Sequence, residues 1–424
     1  MTGRIVILLA TLAAGLVPVA RVSANGFRLA DQDGLATARG EAFVATADNA
    51  AAVYYNPAGI TQLTNSTIRS GLYAIRLDPS YRRLNGGETH GIEKNYAAAP
   101  NFFATHTLEK LPVSFGVGIY APYGGSIRWP QTTGFETVAT YGSLTYLRLS
   151  PVMAVRLTPT LSFAAGAMVD YARINLQQDL LPYPSRFANF FKFSGDGWSA
   201  GYTLGLRWQP HEKIAFGATL RSATSVTFEG ETDFELQPIR GVSSPVQRDA
   251  KATFDFPLTA GFGVSYRPTP KWNFEFNADY TDWSSFDTVN IEMTTPPPPR
   301  TPFRAITPVT LNWQASWMYS FGVTRYFDNG WHVSAGYLFN ENSVPDDYYT
   351  PLAADLDRHC FSLGAGFKAR RYNFDVAYQF GYGPARTVTG STPSSTPAQF
   401  AGQSADGVYD FISHAVMLTW GLNF

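Results

Sequence analysis

From residue 271 to residue 283 the side chains alternate without a break. Trp272, Phe274, Phe276, Ala278 and Tyr280 share one parity, and Asn273, Glu275, Asn277, Asp279 and Thr281 share the other. Successive residues of a β-strand point to opposite faces, so the spacing predicts a strand with one apolar and one polar face. The same period runs through Trp198, Ala200, Tyr202, Leu204, Leu206 and Trp208, and through Tyr372, Phe374, Val376, Tyr378, Phe380 and Tyr382. It runs as well through Phe254, Phe256, Leu258, Ala260, Phe262, Val264 and Tyr266, and through Leu311, Trp313, Ala315, Trp317, Tyr319, Phe321 and Val323. About fourteen such segments follow one another, centred near residues 72, 98, 116, 148, 168, 203, 219, 258, 279, 318, 337, 363, 380 and 416.

The connections alternate too. Short turns fall at 108–111, 158–160, 209–211, 267–271, 328–330 and 369–371, while the others run to about a dozen residues or more. Only 15% of the 424 residues are charged, against about 25% in an ordinary soluble domain. A mean hydropathy of -0.12, with no spanning-length apolar run past the N-terminus, excludes a helical bundle in the membrane. Apolar residues spread over alternate positions, with turns short at one end and long at the other, are the pattern of an outer-membrane barrel, whose closed ring leaves no strand edge facing lipid. A soluble sandwich or propeller also alternates, but a propeller repeats at a fixed period and this chain does not. The expected fold is an all-β membrane protein: a 14-stranded antiparallel transmembrane β-barrel over residues 65–424.

Ahead of it, Arg4 precedes an apolar run from Ile5 to about Ala20, and Val22, Ser23 and Ala24 supply the small residues a signal peptidase reads. Residues 1–24 are expected to be a signal peptide removed before Asn25. Without Arg4 and Arg21 the chain keeps 30 basic against 33 acidic residues, which offers no basic footprint for nucleic acid. The single Cys360 excludes an intramolecular disulfide and a multi-cysteine metal site, and nothing points to a cofactor. Residues 25–64 do not alternate. Small residues dominate them, Asp48-Asn49 reads as a helix cap and Asn56-Pro57-Ala58-Gly59 as a turn. Because a wide barrel leaks if empty, this segment is expected to plug the lumen.

Several stations resemble one family in order. Gly26-Phe27-Arg28-Leu29, Gly40-Glu41-Ala42, Ala47-Asp48-Asn49-Ala50 and Tyr55-Asn56-Pro57-Ala58-Gly59 resemble the N-terminal hatch of the FadL family of long-chain fatty acid and aromatic hydrocarbon transporters. The resemblance continues at Tyr120-Ala121-Pro122-Tyr123-Gly124, at Thr281-Asp282-Trp283-Ser284-Ser285-Phe286, and at Ser343-Val344-Pro345-Asp346 through Asp355-Leu356-Asp357-Arg358. A terminal strand carrying Ile412, His414, Val416, Leu418, Trp420, Leu422 and Phe424 on one parity resembles the signal read by the barrel assembly machinery.

The resemblance implies passive, ligand-gated uptake of hydrophobic molecules by a monomer set in outer-membrane lipid and lipopolysaccharide. It implies a lumen pocket closed from below by Gly26, Phe27 and Leu29. It also implies a sideways exit at a kinked third strand, here residues 113–120 with Gly116 and Gly118, faced by Asn56, Pro57 and Ala58. The two glycines are equally compatible with tight packing against the plug. Leu180, Leu181, Phe187, Phe190 and Phe191 make a loop too apolar for a solvated one; it is either an extracellular capture surface, together with the loop near 234–246, or folded onto its own barrel. Arg148, Arg156, Arg207 and Arg221 have lumen parity and could meet a carboxylate, or simply pair with lumen acids such as Asp170, Glu275, Asp279 and Asp375. The six histidines are scattered, which argues against an enzyme. A general diffusion porin is the alternative function.

Overall fold

The computed structural model describes residues 26–185, 189–236, 246–297, 303–353, 355–391 and 403–424; the expected signal peptide, residues 1–24, and its expected cleavage site lie outside them. Among these residues the strands form fourteen staves. They are β1 (Ser66–Arg82), β2 (Tyr96–Thr107), β3 (Val113–Tyr120 and Gly124–Arg128), β4 (Tyr141–Arg156), β5 (Leu161–Gln178), β6 (Asn189–His211), β7 (Ile214–Arg221 and Thr224–Leu236) and β8 (Val246–Phe256 and Thr259–Thr269). The remaining six are β9 (Trp272–Thr281 and Thr288–Met293), β10 (Ile306–Thr310 and Ser316–Tyr326), β11 (Trp331–Asn340), β12 (Arg358–Lys368), β13 (Tyr372–Val388) and β14 (Gly407–Asn423). Each pairs antiparallel with the next, and β14 closes on β1 from Thr67↔Asn423 to Arg82↔Val408, so the ring has no free edge.

The alternation decides which face meets lipid. Trp198, Leu363 and Trp420 point outward and are 67%, 65% and 52% exposed, whereas Asn273, Asn277 and Ser320 point inward and are fully buried. Two predicted lipid-facing runs change sides part-way. Phe254 and Phe256 are buried inside while Phe262 and Tyr266 face out, because the ladder of β8 stops at Phe256 and resumes at Thr259 across Pro257. Leu311 and Trp313 are buried while Trp317 and Phe321 face out, because the chain leaves the sheet between Thr310 and Ser316, where Asn312 takes a left-handed φ of +41°. A proline cannot donate to a ladder, and where a stave leaves its ladder and resumes it the buried parity can invert.

Residues 26–62 lie inside the ring. Helix α1 (Gly34–Ala38) is capped by Asp33, whose carboxylate accepts from the N–H groups of Leu35 and Ala36 at 3.1 and 3.3 Å. Asn49 accepts from the Ala51 N–H (2.8 Å) ahead of α2 (Ala52–Tyr55), while Asp48 turns away to Arg267 at 2.8 Å. A 3₁₀ turn, Pro57–Gln62, then leads to β1. The wall meets this segment at main-chain distance: a Cβ added to Gly322 of β10 would stand 2.6 Å from the Arg39 carbonyl oxygen.

Candidate functional site

The wall is incomplete at the third stave. β3 is interrupted at Ala121-Pro122-Tyr123, and its outer piece pairs with β4 alone. β2 pairs with β3 only from Phe102↔Ile119 to Thr107↔Ser114, so among the described residues 96–101 have no ladder partner on that side. The Glu93 N–H bond to the Arg128 carbonyl, 2.9 Å, bridges the lips again above the break. The interrupted main chain turns inward and is taken up by the inner segment. Leu29 N–H donates to the Pro122 carbonyl (2.8 Å), Gly124 N–H donates to the Phe27 carbonyl (2.9 Å), and Arg28 bridges Tyr123 antiparallel. The break thus lies beyond the predicted kink. Gly116 and Gly118 sit in regular ladders with β2 and β4, and Gly116 is required by packing, since a Cβ there would come within 2.7 Å of Val53.

Phe27 stands in an aromatic cage. Its ring centroid is 5.4 Å from Trp313 and 6.4 Å from both Trp283 and Phe286, and Trp283 and Trp313 are themselves 5.1 Å apart. Gly26 precedes it with φ +63°, and a Cβ at Gly26 would stand 2.6 Å from each tryptophan ring. Only glycine combines that backbone with that space. Trp283 and Trp313 were not singled out by the alternation, which placed Trp313 on the lipid face.

One further residue, absent from the sequence reading, joins the parts. Gln32 donates from its side chain to the carbonyls of Ala121 (2.9 Å) and Leu29 (3.1 Å) and from its N–H to the Tyr55 hydroxyl (3.1 Å). Its own carbonyl accepts from the Asn101 side chain of β2 at 2.8 Å. Both lips of the break are therefore tied to one buried residue, one through its side-chain amide and the other through its main-chain carbonyl. Asn56, Pro57 and Ala58 lie elsewhere: the Asn56 side chain donates to the carbonyls of Val44 and, on β6, Leu206, both at 2.9 Å.

The four arginines of lumen parity all have partners. Arg148 holds Asp170 side-on, Nε to Oδ1 at 2.6 Å and Nη2 to Oδ2 at 2.8 Å. Arg207 donates to the Ala45 carbonyl (3.0 Å), Arg156 to that of Thr61 and Arg221 to that of Tyr54, over whose ring it lies at 4.5 Å. Other ion pairs anchor the inner segment: Arg28–Asp279 (3.1 Å), Arg39–Glu275 (3.0 Å) and Asp33–Arg69, with Arg69 also 2.6 Å from Asp375. Inside the segment, Asp31 and Glu41 share a buried contact. Burial raises both carboxyl groups above their ordinary range, and the charge of Asp31 pushes Glu41 further up.

The apolar loop divides. Leu180 and Phe191 are buried in the apolar packing of the lumen, together with Phe193. Leu181, Tyr183 and Phe190 line an outward-opening pocket with Asp179, whose carboxyl is raised to about 6 by burial and then by Glu136. Phe187 and most of the loop near 234–246 lie outside the described residues.

The outer membrane protein transport family, OMPP1/FadL/TodX, matches residues 16–424. A long-chain fatty acid transport protein of Escherichia coli strain CFT073 is 23% identical over 416 residues, 90% of this chain and 89% of its own. A 47 kDa outer membrane protein of Pasteurella multocida is 25% identical over 389 residues, 84% and 87% of the two chains. In fold, the chain matches a Pseudomonas aeruginosa FadL homologue with a TM-score of 0.82 at 16% identity, over 94% of this chain and 100% of that one. It matches the Pseudomonas putida toluene transporter TodX with a TM-score of 0.69 at 16% identity, over 92% and 98%. A closed fourteen-stave barrel with this match along nearly its whole length belongs to the FadL/TodX family of transporters for hydrophobic substrates in the bacterial outer membrane.

Proposed function

We propose that this protein carries long-chain fatty acids or aromatic hydrocarbons passively across the outer membrane, gated by the ligand itself. Residues 25–64 act as the hatch. A hydrophobic molecule is captured at Leu181 and Phe190, reaches the apolar lumen, and competes with Phe27 for the cage of Trp283, Phe286 and Trp313. Aromatic pairs of this geometry contribute about 0.5–1.5 kcal/mol each beyond their burial, so an apolar ligand that fills the cage can offset the loss of Phe27. Displacement of Phe27 pulls on the bonds that Phe27 and Leu29 make with Gly124 and Pro122. The ligand then leaves sideways between β2 and β3 into the bilayer, without crossing water.

What carries this reading is that pair of main-chain bonds, which joins the residue in the cage to the break in the wall. The ligand shifts the gate because it binds the state with Phe27 displaced better than the closed one. The barrel works as a monomer, with lipopolysaccharide outside and the assembly machinery as its partner in biogenesis. Uptake of labelled oleate and of toluene by cells carrying wild type, Phe27→Ala, or a chain lacking residues 25–63 tests it. Both changes should reduce ligand-dependent uptake. Undiminished uptake by the deletion variant, with sugars admitted equally fast by all three, would sink the hatch and leave a diffusion porin.

A further inference from the structure

The outer face of the barrel carries a groove of about 600 Å³ that crosses four neighbouring staves. Its walls are Tyr266 of β8, Phe274 and Phe276 of β9 and Phe321 of β10, and its far side is the small Ala335 of β11. Tyr266, Phe274 and Phe321 are 47%, 43% and 51% exposed, so the groove faces lipid and not the lumen.

Arg325 stands at one end of it. This residue shares the outward parity of Phe321 on β10 and lies directly opposite Trp272 of β9. Its Cζ is 4.9 Å from the Trp272 ring centroid and 5.4 Å from that of Phe327, so two aromatic faces hold the guanidinium while its N–H groups stay free. Among the described residues its side chain has no acceptor and no carboxylate partner. Asp328, in the adjoining turn, is taken by Lys271 at 2.7 Å.

The depth of Arg325 decides which lipid it meets. The turns at 267–271 and 328–330, beside Trp272 and Arg325, are of the short kind that faces the periplasm. That leaflet of the outer membrane is phospholipid, and lipopolysaccharide fills the other. An unpaired cation on the lipid face, at the level of a girdle made by Trp272, Phe327 and Trp331, meets phosphate there, and a guanidinium takes two phosphate oxygens side-on. From Arg325 the groove runs towards the middle of the bilayer, as an acyl chain runs from its headgroup.

We propose that this groove is a fixed binding site for one phospholipid of the periplasmic leaflet, with its phosphate on Arg325 and an acyl chain between Phe274, Phe321 and Ala335. The site lies outside the barrel and does not depend on what the lumen carries.

Native mass spectrometry of the purified full-length protein in a non-ionic detergent tests the assignment for wild type, Arg325→Met and Ala335→Phe. The two probes are dioleoylphosphatidylglycerol and dioleoylglycerol, which has the same chains and no phosphate. Both substitutions lie on the lipid face, and slow mobility of unheated samples on gels reports the intact barrel. Wild type should bind its first phosphatidylglycerol at least about tenfold more tightly than the second, and more tightly than dioleoylglycerol by a similar factor. Arg325→Met should weaken that first site about tenfold and leave dioleoylglycerol within about twofold of wild type, because it removes only the charged contact. Ala335→Phe fills the groove and should weaken both lipids. Equal affinities for successive phosphatidylglycerols in wild type would make the groove ordinary lipid-solvated surface and overturn the site. So would a first phosphatidylglycerol bound as tightly by Arg325→Met, or its displacement by an equal concentration of lipid A. If a variant does not form the barrel, the wild-type preference for phosphatidylglycerol over dioleoylglycerol still decides.

Discussion

The main-chain N–H of Leu29 donates to the carbonyl of Pro122 across 2.8 Å, a strand-type bond between the innermost part of the chain and the one place where the third stave leaves its ladder. A backbone carbonyl turned out of a sheet within a membrane must find another donor, because lipid supplies none. The inner segment supplies it here. Any motion of that segment therefore carries an energetic consequence for the wall, of the order of one buried hydrogen bond per contact broken.

Gln32 should be the residue most sensitive to that coupling. Gln32→Ala removes the side-chain bonds to Leu29 and Ala121; the Leu29 carbonyl keeps the Tyr54 hydroxyl (3.3 Å), and the Ala121 carbonyl loses its side-chain donor. That costs about 1–3 kcal/mol. The barrel should still form, while the amides of Leu29 and Gly124 exchange with deuterium at least about tenfold faster, since ~1.4 kcal/mol is tenfold in an opening equilibrium. Equal protection in the variant would show that the amide is a bystander.

Gly26→Ala should expel the N-terminal residues from the cage. The substitution places a Cβ 2.6 Å from both Trp283 and Trp313, in a backbone conformation that itself costs an L-residue roughly 1–2 kcal/mol. Tryptophan emission should become more accessible to a soluble quencher, and the protection of residues 26–29 should fall. Unchanged quenching would mean that the cage can widen in place.

Arg221→Met separates a hold on the hatch from a contact with the ligand. Arg221 holds the Tyr54 carbonyl and lies over its ring, so its loss should loosen the hatch by about 1–3 kcal/mol whatever the ligand. Uptake of oleate and of toluene should change by the same factor. A loss confined to oleate would instead make Arg221 a carboxylate partner.

Most of the barrel was legible because lipid imposes one rule on every stave: alternate residues must be apolar for the whole width of the membrane. The rule misplaced Phe256 and Trp313 because the lumen is apolar too, so an inverted parity leaves no change in composition. The signals were Pro257, which cannot donate to a ladder, and Asn312, one of the few residue types that tolerates its left-handed backbone. Phe27 was legible through family resemblance. Gln32 was not, because a residue that joins Leu29 and Ala121 through its side chain and Asn101 through its main-chain carbonyl acts through contacts far apart in sequence, within a segment that has no periodicity. The arginines had the right parity, but no pattern distinguishes a guanidinium that binds the Tyr54 carbonyl, as Arg221 does, from one that pairs with a carboxylate, as Arg148 does.

Hatch docking should weaken as the pH rises. Glu41 accepts from the Tyr55 hydroxyl at 2.6 Å, and burial, then the neighbouring Asp31, holds its carboxyl well above the ordinary glutamate range of about 4.3. A docked hatch thus binds more protons than a displaced one, so its stability falls with rising pH. The contribution is fully present below about pH 4.3 and is lost as the pH climbs through the raised value, at ~1.4 kcal/mol per unit of difference. Asp31, raised in the same direction, adds to the slope. Proteolysis or deuterium exchange of residues 26–62 followed across this range should show protection declining with pH. Glu41→Gln, which keeps an acceptor for Tyr55 and cannot ionise, should flatten most of the decline, and Asp31→Asn the remainder. Protection that rises with pH in the wild type would mean that the two carboxyl groups are ionised and stabilised by a partner, and that the shared contact at the base of the lumen is not the proton-holding pair inferred from its burial.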